Sequence, residues 1–182
     1  MKRMDLVLTA FALAAASGAY AVGTPSPYAG QEQREIKSLS AEEVQSLLSG
    51  KGMGLAKAAE LNGYPGPSHV LQLAAELQLS DGQKTATQAL FQSMEGKAIA
   101  LGTSLVQAES ELDQLFASKQ ATPSLVAQKL EAVGQLQAQV RGAHLEVHLA
   151  QAQLLSAQQI ALYAKLRGYT GEAKAPGHRH AH

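Results

Sequence analysis

Residues 79–83 read Leu-Ser-Asp-Gly-Gln, and residues 155–159 repeat the pattern as Leu-Ser-Ala-Gln-Gln. A serine at a helix N-cap accepts a hydrogen bond from the backbone three residues later, and a glutamine at that later position reaches back to the backbone of the cap. Each stretch therefore predicts a helix start, with its leucine buried and its serine and glutamine shaping the helix terminus. The residues of the two motifs are Leu79, Ser80, Gln83, Leu155, Ser156 and Gln159.

The first motif opens a segment that predicts one long helix, because the helical pattern is not broken before residues 118–122. Apolar residues recur in this segment at steps of four and three, which places them on one helical face. At about 1.5 Å per residue the helix would be roughly 55 Å long. Its apolar positions are Leu90, Met94, Ala98, Leu101, Leu105, Ala108, Leu112 and Leu115.

Thr122 and Pro123 predict the start of a second long helix, with the threonine as N-cap and the proline at the first helical position. An apolar series between Val126 and Val147 gives this helix a matching face. Because a short loop joins the two helices, we expect an elongated antiparallel hairpin. Two helices alone cannot bury both apolar faces, so we expect short flanking helices and a second copy of the chain, in a dimer, to cover the rest.

Composition agrees with an all-α chain of one domain. The 182 residues are 46% hydrophobic and only 4% aromatic, with 15 basic and 15 acidic residues, no tryptophan and no cysteine. A net charge of zero gives no support for a nucleic-acid partner, which would be bound through an excess of basic residues. The absence of cysteine removes disulfides and thiol chemistry. The sequence contains neither a glycine-rich phosphate loop nor a nucleophile motif, so we predict that the protein is not an enzyme.

The N-terminus predicts export. Lys2 and Arg3 precede an apolar run that ends at Ala19-Tyr20-Ala21, which is typical of a cleavable signal peptide over residues 1–21. A retained N-terminal anchor is the alternative. We expect a flexible leader over 22–38, a helical domain over 39–168 and a disordered, histidine-containing tail over 169–182. A periplasmic location follows from cleavage.

Short helices precede the first motif. Ser40 and Glu43 predict a capping box, a second short helix is expected at 55–61, and a third from Pro67 to about Gln78.

Within the long helices we interpret four acidic residues near the hairpin tip as a solvated face. They are Glu109, Glu111, Asp113 and Glu131.

His144 and His148 are one helical turn apart, the spacing of a metal-binding pair. The antiparallel pairing places Met94 and Glu95 roughly opposite them, and His69 is a further candidate from the preceding helix. Imidazole ligands suit zinc, copper, nickel or cobalt. The alternative is that both histidines are ordinary half-buried residues beside the apolar face. In the tail, His178, His180 and His182 predict either loose metal capture or a merely solubilising segment.

The two motifs and their order resemble the LTxxQ family of exported helical proteins. That family carries a Leu-Thr/Ser-x-x-Gln phrase before a long helix and again after a hairpin, as residues 79–83 and 155–159 do here. It includes Spy/CpxP-type periplasmic chaperones, zinc-associated ZraP proteins and CnrX-type heavy-metal sensors. The resemblance covers roughly residues 68–169 and implies an α-helical hairpin, usually in a cradle-like dimer.

The resemblance implies two functions. One is an envelope-stress chaperone or adaptor that holds unfolded client proteins. The other is a metal sensor or heavy-metal resistance protein that reports to a membrane signalling partner. Spy presents a basic concave surface, whereas here 13 basic residues balance 14 acidic ones once Lys2, Arg3 and Asp5 are set aside. Client contact is therefore expected to be mostly apolar. CnrX-type sensors carry paired histidines on the leading helix, where this chain has only His69.

Overall fold

The computed structural model describes residues 26–169, and every regular element within this range is helical. The expectation of an all-α chain with two long packed helices is confirmed. A short 3-10 turn occupies Gln31–Gln33, and six α-helices follow: α1 Ala41–Leu48, α2 Lys57–Glu60, α3 Pro67–Gln72, α4 Asp81–Ala117, α5 Pro123–Leu154 and α6 Ala157–Leu166. None of these helices is long and apolar enough to cross a membrane.

Several predictions lie outside the described residues. They are the signal peptide at 1–21, the first four residues of the leader, and the tail from residue 170 with His178, His180 and His182. Residues 26–32 belong to a unit separate from the helical one, which begins at Gln33.

The helices begin where the capping motifs predict. Ser40, Ser80 and Ser156 each accept a hydrogen bond from the backbone three residues on, and the side chain at that position reaches back in each case. Thr122 caps α5, and Pro123 is its first residue. Each start therefore satisfies backbone N–H groups that a helix otherwise leaves without partners.

The two long helices, of 37 and 32 residues, run antiparallel. Glu111 pairs with Lys129 near the connecting loop, while Thr87 bonds to Gln151 near the opposite end. Helix α1 lies across this pair and adds Leu47 to a core cluster of Leu105, Ala108, Val133 and Val140. A second cluster forms where the two LSxxQ motifs meet, and it consists of Val70, Leu77, Leu79, Leu155 and Tyr163.

Helix α3 is shorter than the sequence predicts. It ends at Gln72, and the chain then turns until Gln78 adopts a left-handed φ of 50°. A continuous helix would point Leu77 and Leu79 in opposite directions, whereas the turn buries both, at 2% and 5% exposure. Burial of the two leucines therefore outweighs helix propensity. Helix α2 is also shorter, since it covers only Lys57–Glu60 of the expected 55–61.

Residues 34–39, which we call the strap, pack on α4 although most of them fall in the predicted flexible leader. Ile36 is 5% exposed. Lys37 donates from its backbone N–H and its Nζ to the two oxygens of Asp113, at 3.1 and 3.2 Å. Ser38 Oγ donates to Glu109 Oε2 at 2.9 Å. The packed part of the chain thus begins before residue 39.

The prediction of a solvated acidic face is wrong for Glu109. This residue is only 7% exposed, and its carboxylate accepts hydrogen bonds from Ser38 and, at 3.5 Å, from Gln137. The side chain of Asp113 is also largely covered, with 15% exposure. The strap supplies donors to both carboxylates, and the periodicity of α4 alone gives no sign of that covering segment.

Gly102 permits the closest approach between two elements. A Cβ atom at this position would overlap the backbone carbonyl of Leu47, where the end of α1 crosses α4. Gly134, by contrast, has no heavy atom within 4 Å of a Cβ built on it. Only the first of these two glycines is required by packing.

We expect Gly102→Ala to lower the free energy of unfolding by about 1–3 kcal/mol, because overpacking against a backbone outweighs the better helix propensity of alanine. Gly134→Ala is the matched control and should raise the free energy of unfolding by about 1 kcal/mol. Urea denaturation followed by circular dichroism measures both. Stabilisation by both substitutions would contradict the crossing of α1 over α4.

Candidate functional site

A cavity of about 590 Å³ lies among the loop 49–54, the start of α3 and the middle of α4 and α5. We call it the histidine cavity. It brings together every predicted metal ligand that lies within the described residues. These are His69, Met94, Glu95, His144 and His148.

His148 is 8% exposed and is held by the backbone. Its Nδ1 lies 2.7 Å from the carbonyl oxygen of Tyr64. Because a carbonyl only accepts, Nδ1 must carry the hydrogen, and in the neutral ring the lone pair is then on Nε2. A backbone carbonyl that orients an imidazole in this way is common behind metal-bound histidines. The same hydrogen bond would also satisfy a buried histidine that binds no metal.

His144 is more deeply enclosed and lacks a partner. It is 5% exposed, and among the described residues no hydrogen-bonding group reaches its buried Nε2. Burial lowers the pKa of its imidazole, and the neighbouring His148 lowers the pKa further. The ring is therefore neutral near pH 7, the form in which imidazole binds metals.

Two glycines make room for the two imidazole rings. A Cβ atom at Gly66 would lie 2.8 Å from Cε1 of His148, so any side chain there would force the ring to move. A Cβ atom at Gly52 would lie 3.5 Å from Nδ1 of His144, within ordinary contact distance. The backbone thus presses against both rings, and the Gly66 contact is the one that excludes larger residues.

Glu60, which the sequence analysis missed, is the centre of the polar contacts at one end of the cavity. Its side chain is 11% exposed. It accepts hydrogen bonds from Gly66 N at 3.2 Å, from the hydroxyl of Tyr169 at 3.0 Å and from the hydroxyl of Tyr163. No pattern around Glu60 distinguishes it from a surface glutamate on a four-residue helix, so the sequence carried no signal for this role.

Cationic and ionisable groups complete the surroundings of Glu60. His69 Nδ1 lies 3.4 Å from its carboxylate, Arg167 Nε 3.7 Å and His148 Nδ1 3.7 Å. His69 Nε2 also lies 3.4 Å from a guanidinium nitrogen of Arg167. Two of the three candidate histidine ligands within residues 26–169 therefore lie beside Glu60.

Burial raises the pKa of Tyr163, and its hydrogen bond to Glu60 raises it further. The phenol therefore stays protonated and can donate to Glu60. Because α2 carries Glu60 while α6 carries Tyr163, this bond ties α2 to α6 across the end of the long helix pair.

Within residues 26–169, no group of three or more histidine, aspartate or glutamate side chains is positioned to hold a metal ion. The donor chemistry of the cavity nevertheless fits late first-row metals, with neutral imidazoles, a thioether and a carboxylate. Among the candidate ligands, His144 has a buried Nε2 without a hydrogen-bond partner. Holding a metal on these histidines and a carboxylate would require His144, His148 and Glu95 to move towards one point.

The two LSxxQ motifs meet in space. Gln83 Nε2 donates to Gln159 Oε1 at 2.9 Å, and Gln159 Nε2 donates to Gln83 Oε1 at 3.1 Å. Each amide also donates to a carbonyl just before the other motif, since Gln83 reaches Leu154 O and Gln159 reaches Leu77 O. The motif glutamines therefore join the start of α4 to the start of α6.

A second concave surface lies between the strap, α1 and α4, and we call it the strap groove. Its volume is about 770 Å³. Its apolar residues are Ile36, Leu39, Ala41, Val44, Leu48 and Val106. Its uncharged polar residues, Gln45, Thr103, Gln107, Ser110 and Gln114, contribute amides and hydroxyls, while its charged residues are Arg34, Glu35 and Glu111. Such a surface offers apolar contact together with hydrogen bonds for a backbone.

Comparison of this chain with protein-family models, with curated proteins and with solved structures finds no match.

The two tyrosines on Glu60 provide a test of the polar centre. We expect Tyr163→Phe to lower the free energy of unfolding by about 1–3 kcal/mol, because it removes the more buried of the two hydroxyls that donate to Glu60 Oε1. Tyr169→Phe removes a hydroxyl from the same oxygen at a residue that is 37% exposed, where water can replace it. Its effect should be smaller. Equal losses in urea denaturation would contradict a buried Glu60–Tyr163 bond.

Proposed function

We propose that this chain is an exported, non-enzymatic helical protein of the LTxxQ type that acts in the periplasm as an envelope-stress chaperone or adaptor. It binds apolar segments of unfolded client proteins in the strap groove. The groove is the observation that carries this proposal, because it combines bulky aliphatic residues with amide and hydroxyl groups that can bond to any polypeptide backbone.

The pairing of Gln83 with Gln159 supports the family assignment within this proposal. A five-residue phrase that occurs twice could arise by chance in a glutamine-rich helical chain. Here, however, both phrases form capping boxes, and their glutamines bond to each other. The phrases therefore act as one structural unit, as a family motif would.

The charge around the groove fits a mostly apolar mode of binding. One arginine and two glutamates line it, so no strong field attracts clients of one charge. At the loop end of the helix pair, Phe116, Leu125 and Leu130 are 53%, 40% and 52% exposed. We propose that a second copy of the chain covers these side chains in a homodimer.

The exported chain, without residues 1–21, should suppress the aggregation of several chemically unfolded proteins at near-stoichiometric ratios, as measured by light scattering. Leu48→Ser removes a groove side chain that is 39% exposed, and about fivefold more protein should then be needed for half protection. Leu149→Ser is the control, since this 52% exposed leucine lies on α5 outside the groove.

The same preparation should sediment as a dimer.

Absence of protection across all clients would remove the chaperone function, and an equal loss in both leucine variants would remove the groove as its site.

The second candidate function is binding of zinc, copper, nickel or cobalt, as in a heavy-metal sensor or resistance protein with a membrane signalling partner. The observation that favours it is the unpartnered Nε2 of His144 in a cavity that also contains His148, Met94 and Glu95. His69 is the less favoured ligand, because Glu60 and Arg167 already contact its ring. The bound ion would link α4 to α5 and thereby supply a structural signal.

Calorimetry with each of the four metals tests this function. We expect at least one to bind with a dissociation constant below micromolar, and His144→Ala/His148→Ala to abolish that binding. The control, His180→Ala/His182→Ala, also removes two histidines but leaves the cavity intact. Loss of binding in the tail variant alone would assign the metal site to the tail. If no metal binds, neither the histidine cavity nor the tail is a metal site.

A further inference from the structure

We propose that the strap covers part of the client-binding surface of α4, and that its release extends the strap groove onto this covered surface when a client binds. The segment that replaces it has the same pattern, two aliphatic residues three apart with a basic residue between them. This proposal rests on the chaperone function for the identity of the client, whereas the release of the strap can be measured without any client.

The strap is bound to α4 in the manner of a separate peptide. Ile36 is buried, and Leu39 packs against the core cluster that contains Leu47 and Leu105. Between them, Lys37 and Ser38 bond to the carboxylates of Asp113 and Glu109. An aliphatic pair thus anchors the strap, and polar donors set its position along α4.

Little other than these side chains holds the strap in place. No helix lies between Gln33 and Ala41, and the one backbone hydrogen bond within the strap runs from Leu39 N to Ile36 O. The Lys37 side chain is 50% exposed, so water weakens its ion pair without removing it. Segments with few buried contacts and exposed bonds open locally before the whole fold does.

Helix α1 can stay folded when the strap leaves. Its capping box begins at Ser40, so its first backbone groups are satisfied within the helix itself. Leu47 anchors its other end in the core, and Gly102 lets it lie directly on α4. The natural hinge is therefore at Ser40, where the backbone is extended between the strap and the first turn of α1.

Release changes the strap groove in a specific way. Ile36 and Leu39 form one wall of the groove, and Val106 of α4 lines it while also packing against the core cluster. Without the strap, the apolar surface beside Val106 becomes continuous with the groove, and the carboxylates of Glu109 and Asp113 lose their donors. A basic residue flanked by aliphatic ones then supplies both the apolar contact and the positive charge.

The first measurement is hydrogen exchange of the backbone amides at 37–39 in the full chain. Ile36→Ser removes the apolar anchor but leaves α4 intact, so exchange should accelerate by about tenfold or more. Lys37→Ala is a milder second variant, which serves if Ile36→Ser does not fold. Its exchange should accelerate as well, but by less. Its control is Lys97→Ala, which removes an ion-paired lysine of similar exposure (53%) from α4. Unchanged exchange in Lys37→Ala and in a folded Ile36→Ser would overturn the releasable strap.

The second measurement is binding of a fluorescent peptide with the sequence of residues 33–40, Gln-Arg-Glu-Ile-Lys-Ser-Leu-Ser. The peptide should bind Ile36→Ser about tenfold more tightly than the unchanged chain, because the competing strap is weakened. Leu149→Ser should not tighten it, and a peptide with serine in place of its isoleucine and leucine should not bind.

Faster exchange without peptide binding would overturn the proposed client pattern. Peptide binding in a chain that protects no client would leave the strap proposal standing and remove the chaperone function.

Discussion

The reciprocal bond between the side chains of Gln83 and Gln159 is the constraint on which the arrangement of the helices depends. Each amide accepts from the cap of its own helix and donates across to the carbonyl that precedes the other cap, at Leu77 or Leu154. The start of α4 is thereby fixed to the start of α6, with Leu79 and Leu155 buried beneath the bonds. Since α5 ends at this junction, its register against α4 is set as well, and that register places His144 and His148 in the cavity that Met94 and Glu95 also line.

The histidine cavity and the strap groove use the same long helices for different chemistry. In the cavity, buried polar groups are satisfied around Glu60, and His144 is the exception, with an enclosed nitrogen that lacks a partner. In the groove, apolar residues remain partly open to water and charge is sparse. A metal ion would complete the first arrangement, whereas a polypeptide segment would complete the second. The two proposed functions therefore make separate demands on the chain and can be tested independently.

Much of the fold was predictable because local rules act within a few residues. The four helix starts at Ser40, Ser80, Thr122 and Ser156 follow from capping chemistry, and the antiparallel pairing follows from a short loop between two apolar faces. The early end of α3 was not predictable in this way, because it depends on burying both Leu77 and Leu79 in a cluster built from distant segments. The burial of Glu109 likewise depends on a strap that is 71 residues away in the chain.

The candidate site, like the fold, was only partly predictable from the sequence. The sequence by itself determined that His144 and His148 share a helical face, and that Met94 and Glu95 lie on the opposing helix, since these relations need only helical periodicity and hairpin pairing. Only the tertiary structure decided that Glu60 organises the polar groups, that Gly66 admits the ring of His148, and that the strap covers α4. The physical reason is the separation along the chain over which each interaction acts. Capping and periodicity are satisfied within one or two helical turns, whereas desolvation of a carboxylate or an imidazole is decided by whichever distant segment packs against it.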